Sequence, residues 1–222
     1  MIKQLAPLPE FLVRRYKNWK SSLYPNSEEH FKSLASYGQN PSSMVISCCD
    51  SRVHATAIFG ADAGEFFIHR NIANLVPPYS PDGENHGTSA AIEYAIKELK
   101  IQHLIVLGHR DCGGIKSGHN LHSNNLNSDY EFINKWLSIL LPAFKKIKKN
   151  VSKIKQIEQL EEESIKISVN NLFSFPYIKK AVEEKNLSIH GLIHNIGSGG
   201  LKYLNPSSEE FENLKILIRI FF

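Results

Sequence analysis

The residues of this chain best suited to chemistry lie in two short segments, Cys48-Cys49-Asp50-Ser51-Arg52 and His109-Arg110-Asp111-Cys112. Thiolate sulfur and imidazole nitrogen are the ligands zinc prefers, and a catalytic zinc takes three protein ligands while keeping a fourth position open. His109-x-x-Cys112 offers two ligands from one turn, and a cysteine from a neighbouring strand end would complete a Cys2His set. Cys48 and Cys49 are both candidates for that third place, and spacing alone does not choose between them. The bland alternative is that the cysteines are small buried hydrophobes and His109 a hydrogen-bonded loop histidine. Asp50 and Arg52 weigh against it: they follow Cys48 by two and four positions, so in an extended segment they would share its face. Gly113-Gly114 would let backbone approach a metal closely.

Those segments need elements to hold them. Met44-Val45-Ile46-Ser47 is a short apolar run that reads as a buried strand ending at Cys48, and Phe66-Phe67-Ile68 reads the same way. Ile92, Ala95, Ile96 and Leu99 recur at helical spacing and predict an amphipathic helix over 88–100, with a strand over 101–107 leading into Gly108-His109. Ile133, Trp136, Leu137, Leu140, Leu141 and Phe144 make a second helical stripe, with a kink expected at Pro142. Pro176 suits the first turn of a helix carrying Ile178, Ala181 and Val182. Segments 187–196 and 201–204 flank Gly197-Ser198-Gly199-Gly200 as a hairpin would, and Phe11, Leu12, Tyr16 and Trp19 space 10–23 as a helix. Strand, strand, helix, strand implies an α/β fold with a mostly parallel central sheet flanked by helices. In such sheets ligands gather beyond the carboxyl ends of the strands, where both cysteine segments fall.

Composition narrows the class. At 222 residues, 42% apolar and 22% charged, the chain reads as one globular domain. A helical arm over 1–35, a core over 40–120, and helices with a hairpin over 121–222 divide it. The longest aliphatic run, Leu104-Ile105-Val106-Leu107, is far too short to cross a bilayer. Twenty-six Lys+Arg against 22 Asp+Glu give only +4, and the basic run over 145–155 leads straight into Glu158, Glu161, Glu162 and Glu163. A solvated helix surface explains that run, so neither nucleic acid nor membrane is an expected partner. His119-Asn120-Leu121-His122 reads as a polar loop. Three cysteines make a poor disulfide framework, and Met1-Ile2-Lys3-Gln4 opens no apolar secretory stretch, so the expected location is cytoplasmic.

Taken together, Cys-x-Asp-x-Arg and His-x-x-Cys resemble the β-class carbonic anhydrases. The likeness extends through 64–74 (GEFFIHRNIAN), 87–95 (GTSAAIEYA) and Gly108-His109-Arg110-Asp111-Cys112-Gly113-Gly114, and more weakly through Ile189-His190-Gly191. The resemblance implies one zinc per subunit on Cys48, His109 and Cys112, with Asp50 and Arg52 as the dyad beside it and Cys49 a spectator. It implies reversible hydration of carbon dioxide to bicarbonate and a proton by attack of zinc-bound hydroxide. Gln39, Phe67, Ile72, Tyr94 and Gly113 match the substrate pocket of the family's plant-type branch. Homodimers or homotetramers are implied, with the N-terminal helices extending onto a partner subunit. The alternatives are a hydrolase of carbon disulfide or carbonyl sulfide on the same scaffold, and a non-catalytic zinc protein closed by Asp50. Two thiolates and a neutral imidazole cancel the charge of the zinc, so its water should be less acidic than the value near 7 of a three-histidine site. Stopped-flow hydration rates of the zinc-loaded protein should therefore climb from about pH 6.5 to about pH 9. A flat profile would contradict that charge argument.

Overall fold

In the computed structural model, residues 5–82, 84–123 and 129–214 are described. The chain divides into two compact units, Met1–Asn40 and Pro41–Phe222. In the first, the helical spacing of Phe11, Leu12, Tyr16 and Trp19 becomes α1 (Glu10–Asn18), which runs through a π turn (Trp19–Leu23) into α2 (Tyr24–Tyr37). Pro25 falls in the first turn of α2, where its missing N–H costs nothing. Trp19 lies edge-on to Tyr24 at 5.3 Å, and Tyr24 stacks on Phe31 at 5.6 Å, which ties the two helices together. No residue of these helices is buried, and Leu12, Tyr16 and Leu23 are exposed.

The second unit is an α/β layer structure. Its strands are β1 (Ser43–Cys48), β2 (Phe66–Asn71), β3 (His103–His109), β4 (Ser188–His194), β5 (Leu201–Leu204) and β6 (Phe211–Asn213). They form one sheet in the order β2-β1-β3-β4-β5-β6, parallel through the first four and antiparallel for the last two. The helices are α3 (Ala55–Phe59), α4 (Gly87–Lys97), α5 (Gly113–His122), α6 (Ile133–Leu137), α7 (Leu141–Lys146), α8 (Lys153–Leu172) and α9 (Pro176–Glu183). The mostly parallel sheet flanked by helices is the architecture the sequence pattern predicts.

Every residue of β1 is buried, as a central parallel strand requires. The Phe66–Ile68 run differs from its buried expectation: β2 is the sheet edge and only half-buried, with Ile68 well exposed. On one face of the sheet, Met44, Ile46, Leu104, Val106 and Ile193 pack with Ile92 and Ala95 of α4 and with Ile165, Leu172 and Phe175. The long helix α8 presses onto the carboxyl end of β3, because Gly108 carries no side chain there. A Cβ on Gly108 would meet Ile165 Cδ1 at 2.6 Å.

Three expectations are corrected. Pro142 breaks the helical stripe rather than kinking it: α6 stops at Leu137, a 3-10 turn follows, and Pro142 lies in the first turn of the new helix α7. The charged run is not one solvated surface. Lys145 and Lys146 end α7, Lys153 opens α8, and Glu161 turns inward to 3% exposure. His119 and His122 belong to α5 rather than to a loop, and His119 is buried, with its Nε2 against Gln156 Oε1 at 3.0 Å.

Leu172, fully buried at the far end of α8, is a clean probe of this packing. Leu172→Ala should lower unfolding stability by about 2–5 kcal/mol in urea titrations while leaving metal stoichiometry unchanged.

Candidate metal centre

Parallel pairing of β1 with β3 brings the two cysteine segments together at one end of the sheet. Ser47 is in register with Leu107, so the residues that follow leave the sheet side by side. Cys48 is the last residue of β1 and buried, whereas Cys49 is exposed and gives its N–H to Asn71 O at 2.9 Å. The structure therefore separates the two cysteines that spacing left equivalent. Ligand atoms of Cys48, His109 and Cys112, all buried, lie within 4.8 Å of one another, with the two sulfurs 3.9 Å apart.

The set fits a metal ion by its own chemistry. His109 Nδ1 lies 2.9 Å from Arg110 O, an acceptor only, so Nδ1 carries a hydrogen and Nε2 is the nitrogen that, once unprotonated, offers a lone pair. That Nε2 is buried and has no hydrogen-bond partner. Asp50 N–H points to Cys48 Sγ at 3.4 Å, and the Ala73 N–H also bonds that sulfur. Cys112 receives the N–H groups of Gly114 and Ile115 at the start of α5. Amide donors of this kind favour a thiolate over a thiol.

The Ala73 donor depends on a strained turn. Ala73 and Asn74 both take positive φ, 63° and 49°. The Asn71 side chain clamps the turn, accepting Leu75 N–H at 2.9 Å and donating to Leu75 O at 2.8 Å, while the Trp136 indole donates to Ile72 O at 2.8 Å. Gly114 rather than Gly113 is the glycine this arrangement requires. A Cβ on Gly114 would meet Ile72 Cγ2 at 2.9 Å and Ala73 Cβ at 3.0 Å, whereas Gly113 faces open space.

Asp50 and Arg52 are joined by a turn, not by the extended segment their alternation suggested. Arg52 N–H donates to Asp50 Oδ1 at 3.0 Å, and its guanidinium forks onto the carboxylate, Nε to Oδ1 at 2.9 Å and Nη2 to Oδ2 at 2.7 Å. The Arg52 side chain holds the Asp50 carboxyl well below the usual carboxylate range. Asp50 Oδ2 lies 3.9 Å from His109 Nε2, so this anion stands at the edge of the candidate site. Arg70 staples the same loop from below, donating to the carbonyls of Cys48, Asp50 and Val53 at 2.7–2.9 Å. Motif reading missed that role, and it missed Glu161, whose Oε1 accepts the Cys112 N–H at 3.1 Å. Only a glutamate inside a charged run announced Glu161, and charge runs ordinarily face water.

The pocket candidates are placed unevenly. Ile72 lies against Gly114, and Gly113 opens α5 directly after Cys112. Phe67 and Tyr94 meet each other at 5.8 Å. The register pairs Phe67 with Met44 and Asn71 with Cys48, so Phe67 lies about 13 Å down the strand from the metal end. Gln39 is exposed in the N-terminal unit, directly after Gly38, whose φ of 78° ends α2.

Comparison with known proteins decides the family. A family-wide profile described as carbonic anhydrase matches residues 43–201. The chain belongs to the β-class carbonic anhydrases. It is 35% identical over 187 residues to β carbonic anhydrase 3 of Arabidopsis thaliana, covering 83% of this chain and 72% of that one. It is 31% identical to a carbonic anhydrase of Helicobacter pylori, over 88% of this chain and 90% of that one. Among solved structures, the β-carbonic anhydrase CcaA superposes with a TM-score of 0.82 at 27% identity, covering 94% and 92% of the two chains. A tetrameric β-carbonic anhydrase of Sordaria macrospora superposes at 0.74 with 27% identity, covering 88% and 95%. Carbonic anhydrases hydrate carbon dioxide, so this chain's activity class follows from its family.

The metal-free protonation state gives a test. Hydrogen bonding from Cys112 is the largest influence lowering Cys48, and the same contact raises Cys112, so the two thiols share one proton between them. Burial opposes the charged form of His109, but the Cys48 thiolate outweighs it and the net shift is upward. A metal must displace the Cys112 proton and whatever proton His109 holds. Zinc uptake at pH 7 should release between about one and two protons, falling toward about one as pH rises through the His109 range. Calorimetry in buffers of differing ionisation enthalpy measures this; release near zero would mean both thiols were already ionised.

Proposed function

We propose that this chain catalyses the reversible hydration of carbon dioxide to bicarbonate and a proton, with one zinc ion per subunit on Cys48, His109 and Cys112. The observation that carries the reading is the buried two-thiol, one-imidazole set with His109 Nε2 unpartnered, beside a carboxylate locked by an arginine fork. A bound zinc would supply the Lewis acidity that acidifies a water and makes it nucleophilic. Asp50, held ionised by Arg52, accepts a hydrogen bond from the attacking oxygen and turns its lone pair toward the carbon. Arg52 keeps Asp50 from swinging onto the fourth metal position. A bidentate fork restrains a carboxylate in a way a point charge does not.

Ile72 and Gly113 wall the site from within its own unit, and the likeness to the plant-type branch is what assigns Gln39 the role of donor for the developing oxyanion. Phe67 and Tyr94 complete the plant-type pocket, and the distance of Phe67 along β2 from Cys48 favours a place for the pair at a subunit interface. A homodimer or homotetramer fits the unburied apolar residues of α1 and α2, which would lie on a partner subunit. Among the described residues no helix is long and apolar enough to cross a membrane. Three free cysteines suit the reducing cytoplasm.

Stopped-flow hydration of carbon dioxide by the zinc-loaded protein tests the reading. Turnover should vanish on chelation and return with zinc. Asp50→Asn should keep its zinc and lose about 10²-fold in kcat. A protein with stoichiometric zinc and no hydration at any pH would overturn the function, and full turnover in Asp50→Asn would remove the dyad from catalysis.

A further inference from the structure

Glu161 lies on α8, far in sequence from both motifs, yet both of its oxygens are spent on the loop that carries Cys112. Oε1 accepts the Cys112 N–H at 3.1 Å, and Oε2 takes Arg110 Nη1 at 3.2 Å. Arg110 Nη1 also reaches Glu158 O at 2.7 Å, and Nη2 pairs with Glu162. Glu161 and Glu162 present their carboxylates to Arg110 from adjacent positions of α8, and Glu158, one turn earlier, contributes its backbone carbonyl. The Glu161 side chain is 2% exposed and Cys112 is 1% exposed, so the amide-to-carboxylate bond is shielded from water.

The loop needs such a grip. Asp111 holds φ at 60°, a left-handed conformation that a non-glycine residue keeps only when its surroundings impose it. From the other side, Arg52 Nη2 donates to Asp111 O at 3.2 Å. The main chain over 110–112 is therefore held between the dyad arginine and a carboxylate of α8. Of the two anchors, only Glu161 touches the backbone of the cysteine itself.

We propose that Glu161 is a positioning residue for the metal centre: by accepting the Cys112 N–H it fixes the direction of Cys112 Sγ, and it acts by reach rather than by charge. The inference rests on the reading that Cys48, His109 and Cys112 hold zinc. Two conservative variants separate reach from charge. Glu161→Asp keeps the charge but draws the carboxylate back by about 1.5 Å, too far to bridge to the amide. Glu161→Gln keeps an acceptor oxygen at full length and gives up the charge, and Arg110 retains Glu162 and Glu158 O.

Zinc stoichiometry of the wild type is measured first, then zinc release into a chromophoric chelator, and then the visible spectrum of the cobalt(II) form. Leu172→Ala, at the far end of the same helix, reports the effect of lost stability alone. Release should be about 10–100-fold faster in Glu161→Asp, with displaced cobalt bands. It should stay within about threefold of wild type in Glu161→Gln, with unshifted bands, and Leu172→Ala should release zinc like the wild type. A wild type without zinc would overturn the metal reading and this inference with it. With zinc bound, three results would overturn the positioning role alone: Glu161→Asp matching wild type, Glu161→Gln failing as Glu161→Asp does, or Leu172→Ala producing the same loss.

Discussion

The structure depends on holding two thiols and an imidazole together in a dry place, on loops that would otherwise move independently. Bringing one sulfur to within 3.9 Å of another, beside a buried imidazole, concentrates groups whose charged forms burial disfavours. Backbone donors offset that cost. Four amide N–H groups, from Asp50, Ala73, Gly114 and Ile115, aim at the two sulfurs. They come from three local devices: the loop after β1, the strained turn at Ile72–Asn74, and the first turn of α5, which supplies two. The sheet supplies the frame, because parallel neighbours β1 and β3 end side by side and send their loops out in the same direction.

Arginines hold those loops, each donating to main-chain carbonyl oxygens. Arg70 collects three carbonyls of the loop after β1, Arg52 spans from Asp50 to the loop after β3, and Arg110 ties that loop to α8. A lysine in any of these places would offer a point charge on a flexible stem, whereas the guanidinium presents several donors in fixed directions. The consequence is a pair of loops whose main chains are fixed from several directions at once.

What the sequence made legible follows from where information is local. Strands β1 and β3, helices α4 and α9, and the turn before β5 announce themselves by apolar period, Pro176 and the glycine run, because their burial is one-sided or complete. The edge character of β2 was not readable from Phe66-Phe67-Ile68, since burial of an edge strand depends on which neighbour is missing. Pro142 signalled a disturbance, and only the packing of α6 and α7 turned a kink into a break. At the site, residue types and spacing marked Cys48 or Cys49, His109 and Cys112 as candidate metal ligands, and the structure buries Cys48 and leaves Cys49 exposed. The clamps were hidden. Glu161, Asn71 and Trp136 act through backbone groups of residues distant in sequence, and nothing in a glutamate within Glu161-Glu162-Glu163 distinguishes the one that turns inward.

The same geometry explains how a carboxylate can stand beside the site without closing it. Asp50 is near enough, with Oδ2 at 3.9 Å from His109 Nε2, for a change of rotamer to bring it onto a bound cation. Both of its oxygens are engaged by Arg52, and Oδ1 is also fixed by the Arg52 amide, so such a change would break three hydrogen bonds together. Arg52 is half-exposed, so water competes for these bonds. The fork therefore holds the carboxylate in place as a hydrogen-bond acceptor, and the exposure of Arg52 makes that restraint sensitive to solvent.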